Sequence, residues 1–314
     1  MPKLFDNRVF QDANAARAWL ESMLWPDGPI CGHCGTTDQA RALSSRPGTY
    51  QCNACRKQFT VTVGTVFERS HIPLNKWLMA TFLFCASKKG VSAHQMHRLL
   101  GITYKSAWFM MHRLREAVTP GPEAGPIGGP GKVVEADETY LLRAAGKRKH
   151  PGAGGWGHKM KVLALVERGG PIRSMRIQDA TKAEIGARLR ENVHPDSTLH
   201  TDGAQHYKFM HGVAEHETVD HNKEYVRKGK RGKVHTNTLE GYFSVFKRGL
   251  VGTYQHVGEQ HLDRYLAEFD FRQNNRAGVG VNDEMRAARA LAGIVGKRLT
   301  YRGTSGTQDH PAEG

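Results

Sequence analysis

The sequence lacks the features of a membrane or secreted protein. Its apolar runs all fall short of the roughly 20 residues that a membrane-spanning helix needs, and the opening stretch MPKLFDNRVF has no signal-peptide core. Acidic residues are also scarce, since 30 Asp and Glu stand against 45 Lys and Arg in 314 residues, a net charge of +15. We therefore predict a cytoplasmic, nucleoid-associated protein whose partner is a polyanion, with nucleic acid favoured over a membrane surface.

Cysteine is scarce as well, and most of the cysteines are paired. Four of the five form two CxxC pairs, Cys31 with Cys34 and Cys52 with Cys55, on either side of a segment with strand character. Four thiolates at this spacing are typical of a zinc ribbon, in which they bind one structural Zn²⁺ tetrahedrally. The alternative is four unligated cysteines. The fifth, Cys85, lies in the apolar run WLMATFLFCA and is predicted to be a core residue.

The chain before residue 119 is predicted to form two domains. Residues 1–70 comprise a short helix and the ribbon, and residues 71–118 have helical spacing throughout. Two of these helices are joined by a tight turn containing Gly101, which is typical of a helix-turn-helix, although a plain helical bundle would show the same apolar spacing. In a helix-turn-helix the second helix binds DNA. Its candidate contacts here are Tyr104, Lys105, His112 and Arg113.

A linker separates these domains from an alternating segment. Residues 119–131 contain four prolines and five glycines, which excludes regular structure. Residues 132–280 then show three strand patterns, a helix, a strand, a short helix, a strand and a long helix. This order predicts an α/β fold, a mixed sheet with flanking helices, and it is also the order of an RNase H-like domain. Residues 281–314 are predicted to form a C-terminal helix and a disordered tail.

Three acidic residues of the α/β segment occupy positions where they can converge. Asp137 ends the first apolar strand pattern, Asp202 follows the fourth, and Glu240 lies on the long helix of residues 234–250. In an RNase H-like sheet the first and fourth strands are neighbours, and the late helix crosses beside them. Because clustered carboxylates repel one another unless a hard cation such as Mg²⁺ binds among them, convergence favours a metal site.

The long helix also carries a polar stripe on the side away from its apolar residues. Asn237, Glu240, Ser244 and Lys247 recur at steps of three and four residues, so they share one face. A carboxylate and an ammonium on one helix face suit the joint binding of a metal ion and a phosphate. The alternative is an ordinary surface helix whose charged residues are solvated.

Four stretches carry a resemblance to a known family. They are YQCNACRKQFTVTVGTVFERS around the second cysteine pair, the strand VVEADETYL, the turn LHTDGAQHY, and the segment that begins HTNTLEGYFSVFKRGL. With them the sequence resembles bacterial insertion-sequence transposases of the DDE type, in the group that has a zinc ribbon and a helical DNA-binding region before an RNase H-like catalytic core. The resemblance extends from the first cysteine pair to Arg276.

The resemblance implies particular roles for the polar residues. Asp137 and Asp202 would be the first two ligands of catalytic Mg²⁺ or Mn²⁺, Glu240 the third, and Lys247 the basic residue after it. Some relatives have Asn in the third position, which keeps Asn237 as an alternative to Glu240. The implied partners are double-stranded DNA, both the terminal inverted repeats and the target, and a second copy of the chain in a homodimer or higher oligomer.

Basic loops extend the predicted DNA surface. At a net charge of +15, phosphate contacts are favoured over solvated loops. The basic candidates for phosphate contact are Lys147, Arg148, Lys149, Arg227, Lys228, Lys230, Arg231 and Lys247.

Two further acidic residues lie beside Asp137. Strand alternation places Glu135 on the same face of the strand as Asp137 and Glu138 on the opposite face. Glu135 is therefore either a partner of the metal ligands or a solvated residue at the strand end.

Three functions fit these patterns. The first is a transposase that cleaves and joins DNA, and the second is a DNA-binding regulator or domesticated relative with an inactive core. The third is a structure-selective nuclease on the same fold, which would need no sequence-specific N-terminal domain. The presence of all three acidic residues, Asp137, Asp202 and Glu240, favours the first.

The charge balance leads to a testable expectation. The affinity for double-stranded DNA should fall steeply as salt rises, because each phosphate that a Lys or Arg neutralises releases condensed counterions. With about six such contacts, the affinity should drop on the order of a thousandfold between about 50 and 200 mM NaCl. Fluorescence anisotropy of a labelled duplex measures this directly, and an affinity that does not change with salt would contradict the prediction.

Overall fold

The structure, a computed structural model, describes residues 6–121, 124–143, 158–207, 215–220, 223–230 and 232–300. The chain forms two compact units. An N-terminal unit comprises Met1–Ser87, Val91–Val118 and Asn282–Gly314, and a core unit comprises Lys88–Gly90 and Thr119–Val281. None of the helices described is long and apolar enough to cross a bilayer. The tail beyond residue 302, for which disorder is predicted, lies outside the described residues.

The N-terminal unit begins with two helices where the sequence pattern predicts one. Helix α1 spans Arg8–Gln11 and helix α2 spans Ala13–Leu24. Asp12 between them has an extended backbone, and its carboxylate accepts the Ala15 N–H at 2.7 Å. The break follows from this N-cap, because a capping Asp leaves the helical backbone conformation to satisfy the free N–H groups of the next helix.

A small antiparallel sheet contains Cys52, and the other three cysteines lie in turns and loops outside its strands. Strands β1 (Ala40–Ala42), β2 (Tyr50–Cys52) and β3 (Gln58–Phe59) are hydrogen-bonded in that order. Beneath them the rings of Trp25, Tyr50 and Phe59 pack together with centroid distances of 5.5 to 5.9 Å. This aromatic cluster packs with the buried Cys31 and Cys52 in a small apolar core, to which Ala40, Cys55 and Val63 contribute. A core of this size is typical of small domains that a metal ion helps to stabilise.

Three helices follow the ribbon, as the sequence predicts. They are α3 (Leu74–Ala86), α4 (Ala93–Leu100) and α5 (Tyr104–Val118). Helix α3 is apolar on most sides and is a core element, in which Cys85 is buried as expected. Ser92 caps α4 by accepting the Gln95 N–H. Helix α4 ends at Gly101, whose left-handed backbone (φ 59°) turns the chain into α5.

A five-stranded mixed sheet forms the core unit, which confirms the predicted fold class. Its strands are β4 (Val133–Arg143), β5 (Lys159–Glu167), β6 (Ile172–Ile177), β7 (Thr198–Asp202) and β8 (Glu215–Val219). Their spatial order is β6-β5-β4-β7-β8. The first three strands in sequence pair antiparallel, whereas β4 pairs parallel with β7 and β7 parallel with β8. The strand with Asp137 and the strand with Asp202 are therefore direct neighbours.

Helices cover both faces of this sheet. Helix α6 (Lys182–Asn192) packs on one face, and helices α7 (Asn237–Gly249) and α8 (Leu262–Asn274) pack on the other. Strand β5 is buried on both faces, with Leu163 and Leu165 toward α6 and alternate residues toward α7 and α8. Such a continuous apolar strand is expected in the centre of a sheet that is covered on both sides.

Sequence patterns did not predict the hairpin that joins β8 to α7. Its strands, β9 (Arg227–Gly229) and β10 (Gly232–Val234), pair antiparallel. Each strand has three residues, and basic or glycine residues occupy most positions, so no alternation of apolar and polar residues is available to mark it. Three of the predicted phosphate contacts, Arg227, Lys228 and Lys230, therefore lie in or next to this hairpin, shortly before α7 in the sequence.

The last helix joins the N-terminal unit and does not form a separate C-terminal segment. Helix α9 (Asp283–Ala292) packs mainly on α3. Arg286, which is buried, donates from its guanidinium to the backbone carbonyl of Cys85 at 3.0 Å. Beyond the helix, the Val66 N–H donates to the Ile294 carbonyl at 3.1 Å. The structure thus differs from the predicted division of the chain, because burial of the apolar side of α9 requires α3, which lies about 200 residues earlier in the sequence.

Candidate active site and metal centre

The sheet register aligns the first two acidic residues. Glu135 on β4 lies opposite His200 on β7 in the parallel ladder. Two residues later on each strand, Asp137 lies beside Asp202 in the same register. Since alternate residues of a strand share a face, both carboxylates lie on the α7 side of the sheet. Asp202 ends β7, and its Oδ1 accepts the Ala204 N–H at 3.0 Å, which shapes the turn that follows.

Glu135 fixes the start of helix α7. This carboxylate is completely buried. It accepts the backbone N–H of Thr238 at 3.0 Å, the Thr238 hydroxyl at 2.9 Å and the Nε of Arg168 at 2.8 Å. The His235 Nδ1 lies 3.3 Å away. Thr236, which precedes the helix, makes no side-chain capping bond, so a carboxylate from the neighbouring strand replaces the missing cap and complements the positive end of the helix dipole.

Helix α7 is also held further along its length. The buried hydroxyl of Tyr242 donates to Asp270 Oδ1 on α8 at 2.6 Å, and the Ser174 hydroxyl on β6 donates to the same oxygen at 2.7 Å. Burial raises the pKa of Asp270. With Glu135 at one end and this triad in the middle, the exposed face of α7 has a fixed orientation over the sheet.

That exposed face carries Glu240 and Lys247, and both interact electrostatically with Asp137. The pKa of Asp137 is raised to about 8, first by burial and then by the negative charges of Glu138, Asp202 and Glu240. Burial lowers the pKa of Lys247, and the charge of Asp137 opposes that shift. Asp202, Glu240 and Lys247 therefore lie near enough to Asp137 for their charges to interact with it. Asn237 is exposed on the first turn of α7, one turn before Glu240.

The three carboxylates do not form a closed ligand shell. Among all His, Cys, Asp and Glu side chains in the described parts of the chain, the four cysteines are the only group of three or more whose ligand atoms all lie within 4.8 Å of one another. The donor set nevertheless fits a hard divalent cation, which takes carboxylate oxygens and would offset the repulsion that raises the pKa of Asp137.

Glu138 serves the opposite face of the sheet, as strand alternation predicts. Its Oε2 accepts the hydroxyl of the buried Tyr207 at 2.8 Å, and its Oε1 lies 3.0 Å from the His206 Nε2. These contacts tie the turn after Asp202 to the residue next to Asp137. Sequence reasoning did not assign roles to His206 and Tyr207, although both belong to the motif LHTDGAQHY.

The cysteine cluster has the dimensions of a zinc site. Cys31 and Cys55 have their sulfur atoms 3.7 Å apart, as do Cys34 and Cys52. Tetrahedral coordination with Zn–S bonds of about 2.3 Å requires sulfur separations of about 3.8 Å. Hydrogen bonding from Thr36 lowers the pKa of the Cys34 thiol to about 6, which favours the thiolate that binds metal. The ring of His33 instead approaches the Gln58 carbonyl at 3.1 Å.

Two of the predicted DNA contacts on α5 are buried, and the prediction for them is wrong. His112 is 1% exposed and packs edge to face on Trp108. Arg113 is 9% exposed and donates to the Glu68 carbonyl at 3.0 Å. From Met110 onward α5 is a core helix. Helical periodicity did not predict this burial, because periodicity assigns polar residues such as His112 and Arg113 to the exposed side. Tyr104 and Lys105, at the start of the helix, are exposed.

The basic residues of the hairpin have unequal roles. Arg227 is half-buried, and its Nε donates to the Thr218 carbonyl at 2.6 Å, so it attaches the hairpin to β8. Lys230 is exposed and lies 3.1 Å from Glu215, while Lys228 is exposed on β9. The remaining candidates, Lys147, Arg148, Lys149 and Arg231, lie outside the described residues.

A mixed sheet with acidic residues on two adjacent strands, a helix that bears Glu240 beside it and a four-cysteine ribbon before it is the combination expected of a DNA transposase with an N-terminal zinc ribbon. Known sequences agree with this class. The profile of the ISXO2-like transposase domain matches residues 128–274, and that of a transposase zinc-ribbon domain matches residues 11–58. Together they cover more than half of the chain. The chain belongs to the insertion-sequence transposases that combine these two domains.

A relative supports the same assignment over a longer span. An uncharacterized protein in transposable element ISH50 of Halobacterium salinarum is 27% identical over 285 residues, which is 85% of this chain and 92% of the relative. The similarity therefore covers more of the chain than the matched transposase domain alone.

Zinc content tests the cysteine cluster. Protein purified without chelator should contain one zinc per chain, and Cys52→Ser should abolish it, because three thiolates hold zinc far more weakly than four. Structural zinc contributes about 10–16 kcal/mol in small domains, so the ribbon should unfold when zinc is lost. Elemental analysis and thermal melting measure both effects. Cys85→Ala, outside the cluster, is the control and should retain zinc; a metal-free wild type would refute the site.

Glu135 yields a stability prediction. Glu135→Gln should lower the free energy of unfolding of the core unit by about 3 kcal/mol, because it leaves Arg168 and the start of α7 without their buried anion. Urea titration followed by circular dichroism measures the loss. Glu191→Gln, which removes an exposed carboxylate paired with Arg188, is the matched control and should cost under about 0.5 kcal/mol. Equal losses in the two variants would contradict the role given to Glu135.

Proposed function

We propose that this transposase binds the terminal inverted repeats of its insertion sequence, cleaves a phosphodiester bond at each end and joins the freed 3′-hydroxyls to target DNA, using two divalent metal ions. The proposal is supported by the register that sets Asp137 beside Asp202 on adjacent parallel strands. It is also supported by the electrostatic effect of Glu240 on Asp137 and of Asp137 on Lys247.

The three carboxylates would hold Mg²⁺ or Mn²⁺, with Asp137 and Asp202 on adjacent strands and Glu240 above them on α7. When bound, such ions activate the attacking water or hydroxyl and stabilise the leaving oxygen. With a pKa of about 8, Asp137 must release its proton before it can act as a ligand. Lys247, two turns after Glu240, would bind a phosphate of the DNA end and hold the scissile group near the carboxylates.

Glu240 is preferred to Asn237 as the third ligand. A carboxylate binds Mg²⁺ more strongly than an amide does, because it adds negative charge to an oxygen donor. The influence of Glu240 on the pKa of Asp137 also supports its proximity to the site. The same electrostatic contacts argue against a regulator with an inactive core, since three mutually repelling carboxylates cost stability unless they serve a cation.

DNA would contact the chain at several places. In the described part of the core, the exposed Lys228 and Lys230 of the hairpin lie just before α7 and are suited to bind phosphates. Cleavage of two element ends requires two active sites, which supports a homodimer or a higher oligomer in the active complex. In the ribbon, Zn²⁺ held by the four cysteines would be structural.

Three substitutions on α7 test the site. Glu240→Gln should reduce cleavage of a supercoiled plasmid carrying the element ends on the order of a hundredfold or more in Mg²⁺, because a neutral isostere removes ligand charge. Asn237→Ala should retain cleavage within about tenfold. Lys247→Ala should weaken placement of the DNA end, and lower salt should partly restore its activity.

Gel-shift binding to the same ends is the control, and Glu240→Gln should keep it. Glu191→Gln on the surface of α6 serves as the matched substitution with full activity. If Asn237→Ala is inactive and Glu240→Gln is active, the third ligand is Asn237. A wild type that binds the ends without any cleavage in Mg²⁺ or Mn²⁺ would establish the regulator.

A further inference from the structure

Helix α4 presents a solvent-exposed face within the N-terminal unit. Met96 and Leu100, one turn apart, are buried and attach the helix to its neighbours. The opposite side is open to solvent. Its four exposed residues, at steps that place them on one helix face, are His94, Gln95, Arg98 and Leu99.

The start of α5 extends this face. Tyr104 and Lys105 are exposed, and the Tyr104 ring stacks on the His94 ring with centroids 4.3 Å apart and planes 24° apart. The His97 Nδ1 lies 2.8 Å from the Ile102 carbonyl across the turn, which helps to fix the two helices together. The six residues thus form one surface of defined geometry, here called the α4 face.

The rest of α5 cannot take part in such a surface. Its residues from Met110 to Arg115 are all buried. A helix that lies in a DNA groove must expose side chains along the length that contacts bases. Only the first turn of α5 meets this condition, so the second helix of the pair is a core element and the first helix is the open one.

The charge of the segment fits a polyanion. Residues 69–115 contain eight Lys and Arg and no Asp or Glu. A stretch of this length without a single acid presents no repulsive group to phosphate. Within the α4 face, Arg98 and Lys105 are cationic and Gln95 is a neutral amide, which is the combination that proteins use to contact phosphates and base edges together.

We propose that the α4 face, and not the length of α5, enters the major groove of double-stranded DNA and confers sequence preference. This deepens the proposed function and rests on it. Gln95 and Arg98 would contact base edges, since Gln pairs with adenine and Arg with guanine through two hydrogen bonds each. Lys105 and Tyr104 would bind the backbone beside them. An α-helix with its side chains is about 10–12 Å in diameter, which fits a major groove about 12 Å wide.

The test begins with the full-length protein and a randomised duplex library. Sequences enriched by the wild type provide a selected duplex, and its shuffled version provides the non-specific reference. Arg98→Lys and Gln95→Ala should each reduce the preference for the selected duplex by about tenfold or more, because a base-edge contact is lost, while affinity for the shuffled duplex changes little. Lys105→Ala should weaken binding to both duplexes alike.

Arg289→Ala, on the exposed side of α9 in the same unit, is the matched control and should keep the full preference. The substituted side chains are exposed, so each variant should melt like the wild type, and melting curves verify this. Unchanged preference in both Arg98→Lys and Gln95→Ala would overturn the proposal. A wild type that enriches no sequence would also overturn it, while plasmid cleavage in Mg²⁺ still tests the catalytic function separately.

Discussion

The buried carboxylate of Glu135 is the interaction on which the candidate site depends. It lies two residues before Asp137 on the central strand and accepts hydrogen bonds from Thr238 at the start of α7. An unpaired charge at this depth would cost several kcal/mol, so the strand, Arg168 and the helix start can be buried only together. That requirement fixes the start of α7, and with it Glu240, relative to the strand that carries Asp137.

Arg168 extends the same constraint to the hairpin. Its guanidinium donates to the carbonyls of Lys233 and His235 at 2.6 and 2.9 Å as well as to Glu135. The segment that bears the basic hairpin and the helix that bears Glu240 therefore share one anchor. The guanidinium of Arg168 thus sets the position of the hairpin relative to the start of α7.

The N-terminal unit shows a different balance. Its ribbon has a small apolar core beside four clustered cysteines, whereas its helices bury several polar side chains, including His112 and Arg115. Because most of α5 is buried, the solvent-exposed surface of this helix pair lies mainly on α4. The unit thus combines a possible metal site in the ribbon with helix packing that α9 completes.

Local patterns in the sequence determined much of this protein. The cysteine spacing, the strand order of the core and the positions of Asp137 and Asp202 follow from motifs and periodicity, because both depend on residues close together in the chain. The sequence also marked Glu240 and Lys247 as one helix face. Tertiary structure alone decided the partners of Glu135, the burial of Arg113 and the packing of α9 on α3, since each depends on residues 45 to 201 positions away. Spacing describes which face a residue occupies, but only the packed fold determines what covers that face.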